Sequence, residues 1–122
     1  MDREVITSRA NPLLTRVRRL NSRRAIRRAE GSFAAVGPKL LAEALRWGGE
    51  LEAVICGSGT VVPELPAQVR VVEVEDGLLA SISDTESPQG IVFICKGKNL
   101  TVPDRLSGNR YLLLHGVHDP GN

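Results

Sequence analysis

The chain has 122 residues, 42% of them hydrophobic and 25% charged, with a net charge of +2. That is enough for one packed domain, not two full ones, and ordinary for a globular protein in water. Aromatic residues make up only 3% of the chain, which argues against single-strand binding by base stacking, since that needs aromatic platforms.

Charge is unevenly spread. Residues 1–30 carry a net +6 and the rest a net −4, and all nine basic residues in that first part are arginine. Residues 1–10 read as a polar, extended arm. Asn11 and Pro12 then give a helix start, a capping side chain followed by a residue with no N–H to leave unpaired. The pattern predicts one helix from Asn11 to Glu30, ended by Gly31. At about 100° per residue, Leu13, Val17 and Leu20 share one face. Arg16, Arg19, Arg23 and Arg27 form a stripe beside it. Planar guanidinium groups bind two phosphate oxygens at once, so the stripe, with Arg9 before it, is the best candidate surface for nucleic acid. The plainer alternative is a solvated face with acidic partners elsewhere.

Phe33–Val36 reads as a strand. Gly37-Pro38 opens a second helix over residues 39–47, with Leu40, Leu41, Ala44 and Leu45 as its apolar face and Trp47 at its end, read as a core residue before it is read as a base-stacking platform. Gly37-Pro38-Lys39 can hold a phosphate on open N–H groups, or it is only a helix start. Leu51–Cys56 is a buried strand. Residues 60–67 contain two prolines and allow at most one helical turn. Val69–Val74 is a β-branched strand, Asp76–Ser83 a short helix, residues 84–90 a polar loop, and Ile91–Cys95 another buried strand. Helices alternating with strands predict a three-layer α/β/α sandwich with a largely parallel sheet.

Residues 96–109 are polar and read as a linker. Tyr111–Leu114 reads as a strand opening a second unit, which suggests a chain cut from a longer protein. Cys56 and Cys95 each end a hydrophobic run and read as buried thiols, with a disulfide as the open alternative. Two distant cysteines and two histidines do not make a zinc site. No apolar run nears the roughly 20 residues of a membrane helix and no signal pattern is present, so a cytoplasmic location is expected.

Four stretches together resemble one family. YLLLHGVHDPGN is similar to the start of the catalytic domain of SpoU-type (TrmH-type) RNA ribose methyltransferases of the SPOUT superfamily. SRANPLLTRVRRL resembles the family's Ser-x-x-Asn-Pro opening, GSFAAVGPKLLAEAL the stretch after its first strand, and SDTESPQGIVFI its Ser-Pro-Gln-Gly segment. The chain departs from the pattern at Val36, where a glutamate is common, and at His115 and His118, where Asp and Gln are common.

The resemblance implies an RNA-binding domain over residues 1–95, shaped like ribosomal proteins that bind kinked RNA. A linker follows over 96–109, and 110–122 form the first strand and turn of a knotted methyltransferase domain. It implies S-adenosylmethionine and a homodimer for the longer enzyme, and methyl transfer to a ribose 2′-oxygen of ribosomal or transfer RNA. Of the family's catalytic positions only Asn122 falls on this chain. The 122 residues alone are expected to be monomeric, inactive and free of cofactor.

Gln89 is a candidate reader of a base edge or a 2′-hydroxyl, with a turn-forming role as the alternative. His115 and His118 read as ordinary turn residues before they read as a base or a ligand pair. A stand-alone RNA-binding module is the competing function. It gives no reason for the second strand and its Asp-Pro-Gly-Asn turn. A protein-interaction domain with an acidic partner is a third reading.

Overall fold

The computed structural model describes residues 3–83, 90–97, 108–110 and 112. Its elements are β1 (Glu4–Val5), α1 (Pro12–Ser22), α2 (Arg24–Glu30), β2 (Ser32–Val36), α3 (Pro38–Arg46), β3 (Leu51–Gly57), β4 (Arg70–Val74), α4 (Asp76–Ile82) and β5 (Ile91–Lys96). The strands form one sheet in the order β1-β4-β3-β5-β2. β1 and β3 each run parallel to β4, while β5 is antiparallel to both β3 and β2. Four strands therefore point the same way and β5 alone is reversed. The expectation of a largely parallel sheet holds for strand direction, but the ladders are mixed.

The reversal is fixed where the chain enters β5. α4 has seven residues, about 10 Å of helix. Beyond it the chain enters β5 at Gly90, in a left-handed turn (φ 80°). The Gly57 N–H donates to the Gly90 carbonyl at 2.9 Å, which fixes that entry beside the finish of β3.

Both faces of the sheet are covered. Leu13, Leu14, Val17 and Leu20 of α1 pack with Leu78, Leu79 and Ile82 of α4 over Ile55, Val72, Val92 and Ile94. On the other face, Leu41 of α3 packs with Val62, Leu65 and Val69 over Val54, Phe93 and Cys95. Alternate residues of β3 and β5 thus feed opposite cores, which is why both read as unbroken apolar runs. The three-layer sandwich is the expected one.

Three local expectations need correction. The arm includes a short strand: β1 pairs with β4, and Ile6 is buried. The long basic helix is two helices. Arg23 is extended (φ −142°, ψ 129°) between α1 and α2. Trp47 is not core; it is 70% exposed. Cys56 and Cys95 are buried free thiols, and burial raises the pKa of each.

Candidate nucleic-acid interface

Because four strands share a direction, the sheet has a start end and a finish end. The turn before α1, the start of α3, the Gly57–Thr60 loop and Gly90 gather at the finish end. α1 runs back across the sheet, so the α1–α2 junction lies at the start end with the start of β3 and the end of β5. Asn21 Nδ2 donates to the Ile82 carbonyl at 3.0 Å, tying the ends of α1 and α4 together there.

The α1 start follows from sequence. The Asn11 side chain accepts from the Leu13 N–H at 2.9 Å, and Pro12 sits in the first turn. The end of α1 is closed by two side chains. Arg27 Nη1 donates to the Leu20 carbonyl at 2.7 Å, and Ser22 Oγ donates to the Arg19 carbonyl at 2.9 Å. Satisfying these otherwise open carbonyls stabilises the break at Arg23. α2 ends at Gly31 (φ 67°), whose N–H donates to the Arg27 carbonyl.

The expected arginine stripe is therefore split by role and by place. Arg16 is a structural anchor. Its Nε donates to Glu30 Oε1 at 2.9 Å and its Nη1 to Glu52 Oε2 at 2.5 Å. Ser32 Oγ donates to the other Glu52 oxygen at 2.8 Å. Arg27 is the half-buried plug of α1. Arg19 and Arg23 remain exposed at the junction, joined by Arg24 and Arg28. Among the described residues none of these four guanidinium groups has a carboxylate partner. Glu30 and Glu52 are both engaged by Arg16, whose single positive charge offsets one of their two negative charges.

Arg9 and Lys39 are exposed at the opposite, finish end. The Arg9 carbonyl accepts from Arg18 Nη2 at 2.7 Å. Gly37 has φ 102° and its N–H is already donated to the Ile91 carbonyl at 2.9 Å, so it is not open for a phosphate. Gln89, Asn122, His115 and His118 lie outside the described residues. So does most of the predicted linker, and so does the strand expected at 111–114 apart from Leu112.

The sequence stripe missed Arg24 and Arg28, because a continuous helix turns them away from Arg16 and Arg19. The signal was present: the buried spacing of Leu13, Leu14, Val17 and Leu20 stops at Leu20, and α2 buries nothing fully.

Hydrogen bonding to Arg16 holds the Glu52 carboxyl below its ordinary value of 4.5, against the opposing effect of burial. The same bond raises the Arg16 pKa. A carboxylate whose folded pKa is depressed stabilises the fold above its unfolded pKa, and loses that effect as pH falls through the folded one. Wild type should therefore exceed Glu52→Gln by about 1 kcal/mol near neutral pH. The gap should close as pH drops below 4.5. Urea unfolding of both proteins across that range checks it; a gap that persists in acid would remove the ion pair as the cause.

Chemically, the junction can present four guanidinium forks to a phosphate backbone. Among the described residues no group of three His, Cys, Asp or Glu could hold a metal ion.

Residues 11–92 match the family model described as the MRM3-like substrate binding domain. No curated protein sequence matches. Among solved structures, an RNA 2′-O ribose methyltransferase is similar at 27% identity and TM-score 0.69, over 85% of this chain and 42% of that one. An rRNA methyltransferase from Sinorhizobium meliloti shares the fold at 23% identity and TM-score 0.63, over 78% of this chain and 37% of that one. A putative RNA methyltransferase of the TrmH family from Porphyromonas gingivalis shares it at 22% identity and TM-score 0.61, over 77% and 38%. This chain thus spans about two-fifths of the length of those solved structures. The matched residues run from the Asn11 cap through both cores to β5, and on that match the chain belongs to the MRM3-like substrate-binding domain family.

Proposed function

We propose that the chain is the RNA-recognising part of an S-adenosylmethionine-dependent RNA 2′-O-ribose methyltransferase, acting on ribosomal RNA. The observation that carries this is the family match over residues 11–92. The likeness to an RNA 2′-O ribose methyltransferase supports ribose as the target, and the S. meliloti likeness, which shows the fold alone, is compatible with ribosomal RNA. Residues 1–95 bind the substrate, 96–109 link, and 110–122 begin the catalytic unit. No described residue is assigned a bond to the cofactor, which in the longer enzyme supplies the methyl group. The 122 residues alone transfer no methyl.

The role of this domain is then positioning. It holds one stretch of RNA so that the acceptor nucleotide meets the catalytic unit, turning an encounter between separate molecules into a step within one complex. The unpartnered arginines at the α1–α2 junction supply the attraction.

Titration of the chain with fragmented ribosomal RNA and with total transfer RNA over a salt series tests this. Four arginine–phosphate contacts predict a slope of log affinity against log salt of about −3 to −4. Ribosomal RNA should bind tighter than transfer RNA at every salt. Preference for transfer RNA would overturn the ribosomal assignment, and absence of binding to either would overturn RNA recognition by this chain.

A further inference from the structure

The largest departure from expectation at the surface is Trp47, the only tryptophan in the chain. At about 100° per residue, Trp47 lies about 120° from Leu41, the buried centre of the α3 face. Leu40 lies within about 20° of Trp47 on the same flank and is 52% exposed. The indole is held rather than loose. Its Nε1–H donates to Glu43 Oε2 at 2.9 Å, and the Arg46 guanidinium sits 5.5 Å from the ring centroid.

A second aromatic shares this corner. Phe33 pairs with Cys95 across β2 and β5, and cross-strand partners point to the same face. Cys95 belongs to the core on the α3 side. Its Sγ lies 3.3 Å from where a Cβ on Gly49 would stand, two residues beyond Trp47. Phe33 is 38% exposed. The corner therefore joins the end of α3 to the start of edge strand β2, at the start end of the sheet. That is the same end as the unpartnered arginines of the α1–α2 junction. Its carboxylates are engaged: Glu43 accepts the indole N–H, and Glu50 pairs with Lys96 at 3.6 Å.

We infer that Trp47, with Arg46 beside it and Phe33 nearby, is a stacking platform for an unpaired base of the RNA. The inference rests on the RNA-binding reading proposed above. A nucleobase has an apolar face and edges that stay wet, and a flat, exposed indole fixed at its N–H matches it. Arginine beside the ring adds attraction for the flanking phosphate and stacks on bases itself. A chain so poor in aromatics cannot track a long single strand. One platform next to a cationic surface fits one splayed nucleotide within a structured RNA, held by its phosphates on either side.

Trp47 reports on its own role, because the intrinsic tryptophan fluorescence of the chain is its fluorescence alone. The test compares an RNA hairpin carrying one bulged purine with the same hairpin fully paired. The bulged hairpin should quench Trp47 and bind more tightly; the paired one should bind through phosphates without quenching. Trp47→Ala should weaken the bulged complex by about 5- to 100-fold and leave the paired complex unchanged. Trp47→Phe should recover part of the loss. RNA binding with no quenching, and equal affinity for wild type and Trp47→Ala, would overturn the platform while leaving RNA recognition intact; the exposed flank would then be a protein-docking face. If neither hairpin binds at low salt, the RNA reading and the platform fall together.

Discussion

Replacing Arg19, Arg23, Arg24 and Arg28 together with alanine should lower affinity for RNA by about two to three orders of magnitude at low salt, and flatten its salt dependence by about three units. The expectation rests on their lack of carboxylate partners among the described residues. A guanidinium with no carboxylate beside it pays no exchange of protein contacts when it meets phosphate. Alanine is at least as good a helix former as arginine, so the thermal midpoint of the variant should stay near that of wild type. Arg16→Ala should behave in the opposite way. It removes the ion pairs of Glu30 and Glu52 where α1 meets α2 and β3, so stability falls while the salt slope stays. A variant set in which Arg16 changes the slope and the other four do not would place the RNA surface on the α1 face instead of the junction.

Phe93→Ala should cost about 3–5 kcal/mol, a large share of the roughly 5–15 kcal/mol that holds such a domain together. Phe93 is fully buried in β5, between β3 and β2. It is the only aromatic side chain in the smaller core, among Leu41, Leu51, Val54, Val69, Ile91 and Cys95. Val54 and Ile91, β-branched and fixed on the paired strands β3 and β5, cannot close the void, so the cavity adds to the lost transfer energy. A lowered urea midpoint with unchanged slope checks this. A loss under about 1.5 kcal/mol would mean that the α3 face collapses onto the gap, as volume-tolerant cores do.

Much of the sandwich was legible because its signals are local. The Asn11-Pro12 start, the Gly31 stop and the runs LEAVICG and IVFIC each answer to one rule of capping or burial. Two features were not legible. The reversal of β5 depends on its entry at Gly90 beside the finish of β3, and alternation of helix and strand gives no sign of that. The break at Arg23 depends on a side chain four residues later reaching back to Leu20, against the strong helix propensity of the arginine-rich sequence. The exposure of Trp47 could have been found: its angle from Leu41 excludes it from the core face, and hydrophobic character alone was a poor guide. The site followed the same pattern. That arginines matter was written in the charge distribution, but which of them are free was decided by Glu30, Glu52 and a backbone carbonyl, partners distant in sequence or hidden by the break.

The inserted position of β5 sets the order in which the chain can be finished as it is made. Among the described residues β2 is paired only with β5, and β5 also closes one side of β3. Until residue 96 has left the ribosome, β2 has no partner strand and β3 offers an open, apolar edge. Residues 1–90 must therefore wait, half-assembled, for a six-residue piece. In that interval the nascent segment is a natural client for chaperones and a candidate for mispairing with its neighbours on a polysome. Insertion of β5 then completes both cores at once.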